Sequence, residues 1–224
     1  MANRMPAVTR SVGARECRCA AAVALLLLGA WPADAADGLD HPHNEIAQAV
    51  VAAEVKLPEV NLIDQEGRAT RFRSDVIGDR IVVMNFIYTS CKTTCPMASA
   101  IFGYVQERLG ERLGGEVMLV SLTIDPVTDR PARLQAYAAQ HHPKPGWLWL
   151  TGEKVAVDQV LNGVGAYSAN VTEHPAMVLI GDGRTGQWMR LVGFPTPDEI
   201  LIKVERLLEA RHSGPQGSGH AQLQ

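Results

Sequence analysis

The stretch TSCKTTCPM, Thr89 to Met97, sets two cysteines four residues apart with a proline directly behind the second. Thiols at that spacing can form a structural disulfide, act as a reversible redox couple, hold a metal between them, or simply lie buried. Pro96 suits the first turn of a helix and disfavours helical geometry in the residue before it. Cys95 is therefore expected beside a helix N-terminus, where unpaired amides and the positive end of the dipole favour a thiolate, with Lys92 adding to the effect. A purely structural disulfide is disfavoured, because closing so short a loop removes little chain entropy. Three intervening residues still permit a disulfide if the α-carbons approach within about 7 Å. The wider bite also suits one soft cation between two sulfurs.

Two sulfurs rarely complete a metal site, so the histidines matter. Cu(I) accepts two or three soft ligands, and Cu(II) prefers added nitrogen. His212 and His220 fall in the C-terminal tail, His41 and His43 in a polar N-terminal segment, and His141-His142 at a helix end where an imidazolium would suit the negative dipole. His174 differs, because VTEHPAMVLIGD places it immediately before a buried strand. Met97 could offer a thioether, although a helix methionine is more often core packing.

The compartment decides what these thiols can do. Arg4, Arg10, Arg15 and Arg18 precede an apolar run of 11 residues, Ala20 to Ala30, and Ala33-Asp34-Ala35 has the small-x-small pattern of a cleavage site. A membrane span needs roughly 20 residues, so residues 1–35 read as a cleaved secretory signal; an uncleaved leader would make them an anchor. Cleavage removes Cys17 and Cys19 and leaves Cys91 and Cys95 as the mature pair in a compartment where thiols oxidise. It also leaves 17 basic against 22 acidic residues, a net charge of about −5, which argues against a nucleic-acid partner.

Residues 36–55 are polar and alanine-rich and read as a flexible segment, residues 56–211 as one folded domain, and residues 212–224 as a disordered tail. Within the domain, VNLID (60–64) and RATRF (68–72) flank a turn as a hairpin. RIVVMNFIY (80–88) and EVMLVSLTI (116–124) are near-continuous apolar runs expected as strands covered on both faces. Helical spacing covers Met97–Leu113, Pro131–Ala139, Val155–Leu161 and Pro197–Arg211. WLWL (147–150) is a short strand that alternates Trp147 and Trp149 with leucines. AMVLIGD (176–182) and QWMRLVG (187–193) form a late hairpin. The expectation is an α/β, thioredoxin-like fold, a central mixed sheet with helices on both faces. The cysteine loop then lies at the carboxyl edge of the sheet, where functional sites collect, and the His174 loop abuts it.

Three separated segments, SCxxxCP at Ser90–Pro96, TIDPVTDRP at Thr123–Pro131 and EHPAMVLIGD at Glu173–Asp182, resemble the SCO/SenC family over roughly Leu57 to Leu208. The resemblance implies that Cys91, Cys95 and His174 are copper ligands, for Cu(I), Cu(II) or both. It implies a protein that delivers copper to the CuA site of a cytochrome c oxidase subunit or another copper protein, or keeps that site's thiols reduced with a thiol-disulfide partner; with the leader, the expectation is an exported, periplasmic monomer. Asp125 and Asp129 match the family's acidic segment. On capping physics Asp125 is expected to bond the turn at Pro126 and Asp129 to cap the next helix. Arg130 stands where relatives commonly have threonine, and Pro175 where a serine is more usual. Pro175 also resembles the proline, often cis, of thioredoxin-like oxidoreductases. That keeps open a metal-free reading in which Cys91 and Cys95 are a catalytic dithiol. A peroxiredoxin-like peroxidase fits worst, since no Pro-x-x-x-Thr-x-x-Cys run is present.

Overall fold

The computed structural model describes residues 50–213. The described strands are β1 (Val50–Ala52), β2 (Asn61–Asp64), β3 (Ala69–Arg71), β4 (Ile81–Ile87), β5 (Val117–Thr123), β6 (Trp147–Thr151), β7 (Met177–Asp182) and β8 (Trp188–Val192). They form one sheet in the order β1-β8-β7-β4-β5-β6-β2-β3. β4, β5 and β6 run parallel, while β7 lies antiparallel to β4. Every residue of β4 and β5 is buried, as their unbroken apolar sequence requires of strands covered on both faces.

The helices are α1 (Thr94–Leu109), α2 (Pro131–Ala138), α3 (Lys154–Gly163) and α4 (Pro197–Ser213). Phe102, Val105 and Leu109 of α1, Leu134 and Tyr137 of α2, and Val204 and Leu208 of α4 pack on one face with Ile81, Val83 and Ile87. Val157, Val160 and Leu161 of α3 cover the other face against Val82, Met84 and Phe86, joined by Phe72 and Ile77 of a π-helical turn after β3. Trp147 and Trp149 stack with ring centroids 4.9 Å apart, and the Trp147 indole donates to the Ser121 hydroxyl at 3.0 Å.

Two boundaries move relative to the sequence reading. Val50–Ala52, inside the segment read as flexible, pairs antiparallel with β8, opposite Leu191, Arg190 and Met189. α4 runs on to Ser213 and takes in His212, whose Nδ1 lies 2.8 Å from the Leu208 carbonyl. The leader, His41, His43 and His220 lie outside the described residues. No described helix is long and apolar enough to cross a membrane.

At the edge of the sheet opposite the cysteines, Asp182 ends β7 and is 1% exposed. Its carboxylate takes both Arg211 Nε (2.8 Å) and Nη2 (2.6 Å) and the backbone N–H of Arg184 and Thr185. Burial pushes the Asp182 carboxyl up, but Arg211 and these amides outweigh it and hold it below the ordinary value. Breaking such a pair leaves a buried charge uncompensated, so Asp182→Asn is expected to cost about 3 kcal/mol at pH 7. A group depressed on folding stabilises above its unfolded value, ~3.9, and loses that contribution as pH falls through the folded value. Urea unfolding should therefore show the deficit at pH 7 and close it in strong acid.

Candidate metal centre

β4 delivers the chain to the carboxyl edge of the sheet, and Thr89–Ser90 turn it back toward α1. The Cys91 N–H donates to the Tyr88 carbonyl at 3.1 Å, which makes the turn tight. The Cys91 sulfur then lies under the first turn of α1. It accepts the Cys95 N–H at 3.3 Å and sits 3.2 Å from the Thr94 hydroxyl. Both cysteines are free thiols, each 6% exposed.

The two thiols are opposite in character. Burial pushes the Cys91 thiol up, but the Thr94 hydroxyl and the amides of Cys95 and Thr93 together overcome it and bring it down to about 6. Burial likewise pushes up Cys95, the neighbouring Cys91 sulfur adds to the effect, and it reaches about 12. The expectation that Cys95 is the activated thiol is thus reversed. Cys95 lies within the first helical turn, and its own amide points at the other sulfur. The unpaired donors of a helix N-terminus serve what lies before it, and that position is held by Cys91.

His174 follows a short 3₁₀ turn, Val171–Glu173, and β7 beside β4 brings it to the same end of the sheet. Its Nε2 lies 3.0 Å from the Ala166 carbonyl, and its ring centroid 5.7 Å from that of Phe86. Burial lowers its pKa, so the ring is neutral at pH 7. A carbonyl only accepts, so Nε2 carries the proton and Nδ1 keeps its lone pair. His174 and Cys95 line one narrow cleft with Phe86, Tyr88, Ile101 and Met177. Among the described residues, however, no three His, Cys, Asp or Glu side chains are gathered closely enough to hold a metal ion. The cysteines meet, while the histidine is held to Ala166.

Other expectations resolve differently. Asp125 serves its turn, its Oδ1 accepting the Thr128 N–H at 3.3 Å. Asp129 does not cap α2, whose N-cap is Arg130 with no side-chain cap bond. It is fully buried and bonds Thr89 and Thr123 instead. His141 stacks on Trp149 at 5.6 Å, and burial lowers its pKa, so it is no dipole-capping imidazolium. Met97 is 53% exposed and outside the core. The described peptide bonds are all trans, that before Pro175 included. The sequence reading overlooked Thr94 as a sulfur partner, though a hydroxyl three residues after Cys91 was a visible signal. It also overlooked Tyr88, whose phenol is pushed up first by burial and then by contact with Cys91.

Residues 52–209 match the family model described as SCO1/SenC. A SCO2-like protein of Rickettsia conorii is 30% identical over 113 residues, 50% of this chain and 53% of that protein. The chain spans about half the length of the curated relatives it matches. BsSco, a member of the Sco family of cytochrome c oxidase assembly proteins reported to carry a disulfide switch, is similar in structure. It has a TM-score of 0.58 at 20% identity, covering 73% of this chain and 98% of that one. Bradyrhizobium japonicum ScoI with copper bound gives 0.56 at 22% identity, covering 67% and 98%.

The contrast between the thiols is directly measurable. In Cys95→Ser, alkylation of Cys91 should follow a pH midpoint near 6, and Thr94→Val should raise it toward the ~8.5 of a free thiol. In Cys91→Ser, Cys95 should resist alkylation through neutral pH. Equal midpoints for the two thiols would contradict the placement of Cys91 under α1.

Proposed function

The chain belongs to the SCO1/SenC family, and from that membership we propose that Cys91, Cys95 and His174 bind copper as cargo. In this reading the leader, residues 1–35, directs export to the periplasm, and the thioredoxin-like domain, residues 56–211, carries the metal. The recipient is the CuA site of a cytochrome c oxidase subunit or another copper protein. Copper bound to Bradyrhizobium japonicum ScoI and the oxidase-assembly role in the description of BsSco support it.

The observation that carries the reading is the Cys91 thiol, held near 6 at a helix N-terminus beside a cleft lined by Cys95 and a neutral imidazole. Thiolate sulfur and imidazole nitrogen suit copper in either oxidation state. Cys91 offers its sulfur already ionised at neutral pH, and a metal must displace the proton of Cys95. The Ala166 carbonyl holding Nε2–H of His174 is the outer contact that metal-bound imidazoles commonly keep. It leaves Nδ1 as the donor, and the His174 loop must close on the two sulfurs for three ligands to meet.

A second reading has its own observation. One thiol near 6 and a partner near 12 are the nucleophile and the buried resolving thiol that disulfide exchange needs. Copper titration of the reduced domain, paired with redox equilibration against glutathione, separates the two. His174→Ala should weaken copper binding by about 100-fold or more, at least the upper range for outer-shell losses, and leave the Cys91–Cys95 disulfide able to form. Either cysteine→Ser variant should abolish tight binding. Should the reduced domain hold copper no better than a double cysteine variant, the dithiol reading replaces the copper reading.

A further inference from the structure

Asp129 is the one fully buried carboxylate near the cysteine loop among the described residues, and the copper chemistry above gives it no part. Its Oδ2 accepts the Thr89 N–H at 3.0 Å and the Thr123 hydroxyl at 2.7 Å, and its Oδ1 accepts the Thr89 hydroxyl at 2.5 Å. Arg133 completes the knot from α2, its Nε donating to the Thr89 hydroxyl oxygen at 2.6 Å and lying 3.9 Å from Oδ1. Thr123 is the last residue of β5, and Thr89 lies two residues past β4 and two before Cys91. One carboxylate therefore ties together the carboxyl ends of two parallel strands where the cysteine loop leaves the sheet.

We propose that Asp129 is a positioning residue for the thiol pair: by fixing Thr89 it sets the Tyr88–Cys91 turn, and so holds the Cys91 sulfur against the Thr94 hydroxyl and the Cys95 amide. The proposal rests on the reading of Cys91 as the reactive or metal-binding thiol. Both carboxylate oxygens accept hydrogen bonds from the threonines, and such a buried network holds its members firmly only while all are satisfied. Capping or surface attraction would leave the carboxylate partly exposed or bonded to the α2 amides, and neither is the case. Besides its own Cys91–Tyr88 backbone bond and a Tyr88 backbone bond to the Cys95 sulfur, the turn is tied through Thr89 to the buried carboxylate that also holds β5.

The test contains no copper, so it is separable from the copper reading. In the Cys95→Ser background, the pH midpoint of Cys91 alkylation is compared for the parent, Asp129→Ala, Asp129→Asn and Asp182→Asn, with thermal unfolding measured alongside. Asp129→Ala should raise the midpoint from about 6 toward ~8.5. Asp129→Asn can keep an oxygen on the Thr89 N–H and should stay nearer the parent. Asp182→Asn, which breaks an equally buried carboxylate network at the far edge of the sheet, should lower the melting temperature and leave the midpoint alone.

The direction separates geometry from charge, because loss of a negative charge by itself would lower the midpoint of a nearby thiol. If Asp129→Ala reduces thermal stability but leaves the midpoint unchanged or lowers it, Asp129 does not position the thiol. Should Asp129→Ala fail to fold, Thr89→Val takes its place: a raised midpoint supports the proposal and an unchanged one overturns it. In the copper-loaded domain the same displacement is expected to weaken binding about tenfold.

Discussion

The pairing of β4 with β5, from Ile81 opposite Val117 to Ile87 opposite Thr123, is the constraint on which the rest of the site depends. A parallel register fixes where both strands end. It places the loop after β4 beside the loop after β5, and the antiparallel pairing of β7 with β4 brings the residues before β7 to the same edge. Cys91, Asp129 and His174 are far apart in the chain and are neighbours of one sheet edge for this reason. A slip of one residue would exchange the two buried faces of β4, and the separate apolar layers packed against each face oppose it.

On that frame the chemistry is set by which sulfur the α1 amides reach. A helix N-terminus offers donors without partners, and the Cys91 sulfur accepts one of them while Cys95, part of the helix, contributes it. Both sulfurs are almost wholly buried, so burial alone would raise both thiols. Hydrogen bonding decides the difference, and it favours Cys91. The result is one thiol that is ionised at neutral pH and one that must be driven to ionise.

Much of the architecture was legible in the amino-acid sequence. The runs RIVVMNFIY and EVMLVSLTI announce buried parallel strands, and Gly183–Gly186 announces the hairpin between β7 and β8. What was hidden has a common physical cause. β1 is three residues in an alanine-rich stretch and exists only through its pairing with β8. Asp129 resembles a helix cap in its local sequence, whereas its partners Thr89 and Thr123 lie in other elements. The order of the two thiols depends on the Thr94 hydroxyl, which the sequence displays, and on backbone amides, which no residue type reveals. His141 at a helix end looks like a dipole partner until Trp149 is stacked on it. Local signals located most of the elements but missed β1, and they misassigned Asp129, whose partners lie in other elements.

On the proposed copper reading, the hold on His174 would let one site accept a metal and also release it. A fully preformed three-ligand cage would bind tightly and surrender cargo slowly, since a ligand set that needs no rearrangement gives little differential affinity between loaded and open states. Here the sulfurs are assembled by the sheet and α1, while the imidazole is held to Ala166 on a segment that follows α3. If the three ligands meet on copper, the energy of closing that segment is subtracted from the affinity for the metal. If copper is the cargo, a recipient that engages the His174 loop would loosen it without touching either sulfur. On that reading, thiols set by the sheet edge and an imidazole held separately on a loop would also leave the dithiol able to open and close a disulfide when no metal is present.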